Sequence, residues 1–346
     1  MSTSVHAGPA YRHAAPEPGS MVELAPGIMW LRLALPFALN HVNIHIIDDG
    51  SGWTVIDTGV ADDRTRAVWE AMMAGPLAGR PVNRLVVTHF HPDHVGLGGW
   101  LAQRLGVGVT MSQTEYFQSR LSRGRSGGVD ANMNRSFYAQ HGLSDEDIHT
   151  VTVRGDSYQR LTVELPMNYT RIRAGDVLDL GGRKFEVMTG AGHALEQVML
   201  LCRDEGIFLP TDQVIGHISP NVGVHAIEPE ADALAEFLAS LREIRATVPG
   251  DVLTAPAHGR PFHGLHARID TLLDHHRERC DLLAQAVRNG ANTTAGIMPT
   301  LFNRKLDPHQ MGFAFGEALA HVNHMLALGE LYGETDGNGV LRLSLA

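Results

Sequence analysis

Arg84-Leu85-Val86-Val87-Thr88-His89-Phe90-His91-Pro92-Asp93-His94 is the stretch whose reading decides the fold. An apolar strand runs straight into a block that sets three imidazoles and a carboxylate within six residues. His89 and His91 alternate along an extended backbone, so both side chains can point to one side of it. Asp93 and His94 follow as the chain turns into a helix, placed to serve a neighbouring ion. Val95-Gly96-Leu97-Gly98-Gly99 then lets backbone pack closely beside them. With 20 histidines in the chain, scattered pairs arise by chance. A compact H-x-H-x-D-H block straight after a buried strand points instead to a metal site.

The block resembles the metal-binding motif of the metallo-β-lactamase superfamily, and further pieces follow in that family's order. Lys184-Phe185-Glu186-Val187-Met188 leads to Thr189-Gly190-Ala191-Gly192-His193, similar to the family's glycine-histidine turn. Gly206-Ile207-Phe208-Leu209-Pro210 leads to Thr211-Asp212, which resembles its bridging aspartate. Val252-Leu253-Thr254-Ala255-Pro256-Ala257-His258-Gly259 resembles its last histidine turn, and Trp53-Thr54-Val55-Ile56-Asp57-Thr58-Gly59 its early strand ending in Asp-Thr-Gly. Thr211 departs from the pattern, since the family usually has Gly or Ser there. The resemblance covers about residues 22–262. It implies an α/β fold, a four-layer αβ/βα sandwich, with His89, His91 and His193 on one ion, Asp93, His94 and His258 on a second, and Asp212 bridging.

Physical chemistry points the same way. Each candidate ligand stands at the end of an apolar run, and open α/β sheets bind ligands at the carboxyl ends of their strands. Imidazole and carboxylate suit zinc first, with iron or manganese as alternatives, and no candidate position is a cysteine. Two such ions, about 3.5–4 Å apart, would hold a water between them and lower its pKa toward neutrality. On the ligand set that the resemblance implies, Asp93 and Asp212 would be the carboxylates of catalysis. Asp57 is open to two readings: an acceptor for the outer N–H of a liganding imidazole, or a strand-end turn former.

Composition sets the limits. The 346 residues are 44% hydrophobic, enough for a large core. No run of about twenty apolar residues suggests a membrane span. Residues 1–20 lack an apolar signal region and are expected to form a flexible tail. Cys202 and Cys280 read as buried free thiols of a cytoplasmic protein. A net charge of −10 disfavours nucleic acid as a partner. Against that balance, Arg120, Arg123, Arg125 and Arg135 form a basic cluster, either a solvated loop or a grip on an anionic substrate group.

Along the chain, strand patterns at 28–35, 42–48, 53–57 and 84–87 surround a helix near 62–74. Residues 113–170 break the alternation with helical stretches and aromatics, including Tyr116, Tyr158 and Tyr169, and read as a substrate-covering insertion. Residues 21–262 would form the catalytic domain. Helical spacing marks 231–248 and 266–288, with His275 and His276 read as ordinary helix residues. Within 263–346 a capped helix after Thr293, a helix over 312–328 and a terminal hairpin resemble the winged-helix tail of some family members. Few basic residues on its long helix favour a packing or homodimer-supporting module over a DNA reader. His41, Asn43, Asn221 and Tyr169 are candidate substrate contacts.

The function expected is hydrolysis of a small-molecule thioester or ester, lactones included. A phosphodiesterase or ribonuclease on the same metals, a two-iron redox protein and a non-catalytic metal-binding protein are the alternatives.

Overall fold

The computed structural model describes residues 9–124, 129–152 and 157–346. The first eight residues of the expected tail and Arg125 therefore lie outside the described residues. The chain forms two compact units. The first comprises Met1–Gly124, Ser157–Pro220 and Glu243–Ile269, and the second Arg125–Asp156, Asn221–Arg242 and Asp270–Ala346.

In the first unit, β1 (Met21–Ala25), β2 (Ile28–Ala34), β3 (His41–Asp48), β4 (Trp53–Ile56), β5 (Val82–Val86), β6 (Val109–Met111) and β7 (Tyr169–Arg171) form one sheet in chain order. Neighbours are antiparallel from β1 to β4 and parallel from β4 to β7. The change follows from the connections, because a helix intervenes between β4 and β5, whereas the earlier strands join through short turns. That helix, Asp63–Ala74, starts where the Asp62 carboxylate accepts the Thr65 N–H at 2.7 Å. The insertion read over 113–170 is the crossover from β6 to β7.

The second sheet has the order β12 (Leu253–Pro256), β11 (Ile207–Thr211), β10 (Gln197–Cys202), β9 (Arg183–Gly190), β8 (Val177–Leu180). Only β11 and β12 run parallel. The two sheets face one another across a core in which Ile28, Trp30, Ile47 and Val86 pack with Phe185, Val187, Leu200 and Leu209. On its other face the first sheet packs Ile44, Ile46 and Leu85 with Trp69 and Met72 of helix Asp63–Ala74 and Leu101 of helix Gly98–Leu105. Apolar side chains of β3 serve both layers, which is why its sequence is buried almost throughout instead of alternating. This is a mixed α/β sandwich.

The second unit contains the C-terminal helical module. Helices Thr294–Leu301 and Pro308–Ala327 precede a hairpin of β13 (Leu331–Thr335) and β14 (Leu341–Leu345). Thr293 caps the first by accepting the Gly296 N–H at 3.0 Å. Phe315 packs edge-on against Phe137 and Tyr138, with ring centroids 5.6 and 4.9 Å apart. His275 and His276 lie in the helix Leu265–Arg288. His276 is buried against His321, with Nδ1 and Nε2 of the two rings 3.1 Å apart.

Arg120 and Arg123 of the arginine cluster differ from both readings. Arg120 donates to the Leu165 carbonyl at 3.1 Å, and Arg123 donates to the Gln159 and Thr162 carbonyls. Arg120 and Arg123 thus satisfy carbonyls of their own surroundings, an internal use that charge counting does not reveal. Arg135 pairs with Asp145 at the surface, as a solvated residue does.

Close packing of the glycine run is literal. A Cβ on Gly96 would lie 2.3 Å from the Pro92 oxygen, 2.5 Å from that of Gly59 and 2.7 Å from that of Leu161. One on Gly99 would lie 1.9 Å from the Glu164 oxygen. All are backbone atoms, so no side chain can swing aside. Gly96→Ala is therefore expected to destabilise the protein by about 1–3 kcal/mol or more, read as a lower midpoint in denaturant. An unchanged midpoint would show that the helix turn at Gly96 can shift.

Candidate metal centre

All seven residues singled out as ligands belong to the first unit and come off the carboxyl ends of strands. β5 delivers the His89–His94 block. β9 ends at Gly190, three residues before His193, β11 ends at Thr211 just before Asp212, and β12 ends two residues before His258. Pro92 opens the helix Pro92–Val95, and the His94 and Val95 N–H groups return to the His91 carbonyl at 3.0 Å. His89 and His91 stay extended while Asp93 and His94 turn back over them. Two backbone bonds join the sheets here: Val198 N–H to the Thr88 carbonyl at 2.9 Å, and Asn43 N–H to the Ala257 carbonyl at 2.7 Å.

The side chains converge in two groups, His89, His91, His193 and Asp212 in one and Asp93, His94 and His258 in the other. Within each group the ligand-type atoms lie within 4.8 Å of one another. Asp212 also reaches the second group. Its Oδ2 lies 3.3 Å from Nε2 of both His193 and His258, 3.5 Å from that of His94 and 4.0 Å from that of His89. His89 Nε2 and His91 Nδ1 are 3.0 Å apart, and His258 Nε2 is 3.3 Å from Asp93 Oδ2.

Outer hydrogen bonds decide which nitrogen faces inward. Asp57 Oδ2 accepts the His94 Nδ1–H at 2.8 Å, and the His41 carbonyl accepts the His258 Nδ1–H at 2.8 Å. The Thr88 hydroxyl gives its proton to Asp57 Oδ2 at 2.8 Å, so it accepts the His89 Nδ1–H at 3.1 Å. Each of these rings thus turns Nε2 toward the cluster. Asp57 takes the Thr88 N–H on its other oxygen and sits at φ 69°, so it acts both as turn former and as imidazole acceptor.

Charge follows the geometry. Burial opposes protonation of His94, but Asp212, Asp57 and Asp93 outweigh it and hold the ring well above the usual histidine range. His258 is pushed up to about 10, again with burial outweighed by Asp212 and Asp93. Burial would raise Asp93, yet His94 and His258 hold it at about 2. His91 goes the other way, to about 3, because burial dominates and His193 adds to it.

Thr211 stands at φ 50°, a conformation that costs a non-glycine residue about 1–2 kcal/mol. A small residue is the easy choice at such a position. Here the Thr211 hydroxyl offsets the cost by donating to Gln197 Oε1 at 3.1 Å. Gln197 donates in turn to Gln213 Oε1, and Gln213 donates to the Ala191 carbonyl at 3.0 Å. The amide chain ties the Asp212 turn to the His193 turn.

The structure separates the four candidate substrate contacts. His41 is buried beside His258, and its Nε2 accepts the Gly259 N–H at 2.7 Å. Asn43 is buried and donates to the Pro256 and Gly259 carbonyls at 3.0 Å. Both therefore shape the His258 turn. Tyr169 stacks on Tyr116, with ring centroids 3.9 Å apart. Asn221 belongs to the second unit. Sequence reading passed over Gln197, Gln213 and Glu115, single polar residues whose spacing carries no motif. Glu115 is buried and accepts the Phe90 and Glu196 N–H groups.

The donor set fits metal ions. Among the described residues His94 Nε2 and Asp212 Oδ1 are buried with no hydrogen-bond partner, a need that a cation would meet once His94 gives up its proton. The cluster, five imidazoles and two carboxylates with no thiolate, is compatible with two divalent ions.

Known proteins agree. The family model described as the metallo-beta-lactamase superfamily matches residues 38–285, and that of a metallo-beta-lactamase-like C-terminal domain matches 280–346. The crystal structure of a beta-lactamase domain protein from Burkholderia ambifaria is 37% identical, with a TM-score of 0.90 and 98% of each chain covered. The probable metallo-hydrolase YqjP of Bacillus subtilis is 22% identical over 90% of this chain and 96% of its own. A linear primary-alkylsulfatase of Pseudomonas is 24% identical over 78% of this chain and 51% of its own. For the human acyl-coenzyme A thioesterase MBLAC2 the values are 27%, 55% and 64%. With its ligand-type side chains gathered at the strand ends of two facing sheets, the chain belongs to the metallo-β-lactamase superfamily of metal-dependent hydrolases.

Proposed function

We propose that this protein is a dinuclear metal-dependent hydrolase of small-molecule thioesters or esters, lactones included. The observation that carries the reading is the shared position of Asp212, within 3.5 Å of imidazoles from both groups through one oxygen while the other has no partner. His89, His91 and His193 would hold one ion, Asp93, His94 and His258 the other, and Asp212 both. Zinc is the first choice for this donor set, and iron or manganese also suits it. Bound there, such ions supply Lewis acidity and an activated water, so that ester cleavage needs no protein nucleophile.

The chain's own residues hold and orient. Asp57, Thr88 and the His41 carbonyl fix three rings by their outer N–H groups. Asp93 is the most open of the carboxylates, its side chain 18% exposed against 6% for Asp212, and marks the side from which substrate enters. The thioesterase among the relatives supports the acyl class, and the alkylsulfatase favours sulfate esters as the second reading. Turnover of a panel of acyl-CoA and glutathione thioesters, lactones, alkyl sulfates and phosphodiesters, with and without chelator, tests both.

His89→Ala and Asp212→Ala should each lose bound metal by elemental analysis and, with it, turnover of whichever ester proves to be the substrate. Near-normal metal-dependent turnover in either variant would remove that residue from the site. Asp57→Asn keeps a residue tolerant of positive φ but puts an NH2 group against one of the donors. It is expected to weaken metal binding about ten- to a hundredfold, measured by competition with a chromophoric chelator.

Acidity provides a further test. His94 and His258 carry protons in the metal-free chain near neutrality, because their pKa values are raised, and a cation must displace them. Affinity should therefore rise with pH between 6 and 8, by about tenfold per unit for each proton released. Titration calorimetry in buffers of different ionisation enthalpy counts those protons. A pH-independent affinity would mean that the two rings are not ligands.

A further inference from the structure

Glu115 is buried near the start of the helix Gln113–Gly124, and its two oxygens serve two different turns. Oε2 accepts the Phe90 N–H at 2.9 Å, and Oε1 accepts the Glu196 N–H at 2.6 Å. Phe90 lies between His89 and His91, and Glu196 lies three residues after His193. The Phe90 carbonyl, in the next peptide group, accepts the Tyr158 hydroxyl at 2.7 Å. Around Glu196, the Ser112 hydroxyl donates to its carbonyl at 2.8 Å.

These turns come from β5 and β9, strands of different sheets, so no β-ladder sets the distance between them. A carboxylate can accept an N–H on each oxygen, whereas an amide offers one acceptor and one donor. An apolar side chain would leave two backbone donors unpaired, at a cost the fold would relieve by moving the turns.

We propose that Glu115 is a positioning residue, clamping the His89–His91 turn to the His193 turn so that their three imidazoles meet at one ion. The inference rests on the metal-site reading above. The clamp itself is a set of bonds within the chain and can be tested without metal.

Glu115→Gln keeps the size of the side chain and can satisfy only one of the two N–H groups. Its binding of cobalt(II) is measured by chelator competition and by the visible absorption of the bound ion, alongside unfolding of the metal-free protein. One of the two ions should weaken about ten- to a hundredfold with an altered absorption band, the band also lost in His193→Ala. The second ion should bind as in the unsubstituted protein, and Ser112→Ala, which removes a neighbouring bond without touching the carboxylate, should leave both affinities unchanged. Any other pattern overturns the proposal, including equal weakening of both ions together with lower metal-free stability.

Should the glutamine variant not fold, amide hydrogen exchange in the metal-free unsubstituted protein decides. Slow exchange at both Phe90 and Glu196 is expected, and fast exchange at either overturns the clamp. Fewer than two ions on the unsubstituted protein would count against the dinuclear reading alone, and the exchange result would still judge Glu115.

Discussion

Asp212 is a carboxylate withdrawn from water and surrounded by imidazoles, and the organisation of the first unit follows from having to hold it there. An isolated buried charge is too costly to keep unless paired. Here the pairing comes from rings carried by three separate turns, one from the first sheet and two from the second. Each turn must reach the same point, so the two sheets are locked edge to edge by backbone bonds from Val198 to Thr88 and from Asn43 to Ala257. The fold and the cluster share the same geometry, and a residue that moves one turn moves the cluster.

Much of this was legible in the sequence because ligand chemistry is local and dense. His89 to His94 lie in one loop, and the later ligands each end an apolar run. Strand ends are where side chains leave a sheet, so the carboxyl edge could be inferred before any coordinates. The turn at Asp57 was legible as well, though its double duty was not: only the structure shows one carboxylate serving the Thr88 backbone and the His94 ring together.

The rest was hidden for a physical reason. Glu115, Gln197 and Gln213 act through single hydrogen bonds to distant backbone or to one another, and such bonds leave no periodicity or spacing behind. The arginines were obscure for the same reason: a guanidinium that binds a carbonyl looks, in sequence, like one that faces water. His41 and Asn43 read in sequence as candidate substrate contacts. Burial turned them into supports for the His258 turn, since polar groups inside a sheet edge find backbone partners before they find ligand.

The crossover between β6 and β7 has a consequence for how this scaffold can vary. Glu115 stands near its start and Tyr158 near its end, and both hold the backbone of Phe90, one by its N–H and the other by its carbonyl. Substitutions between these two stems can be accommodated while the His89–His94 block stays in register, provided that Phe137 and Tyr138 keep their packing on Phe315.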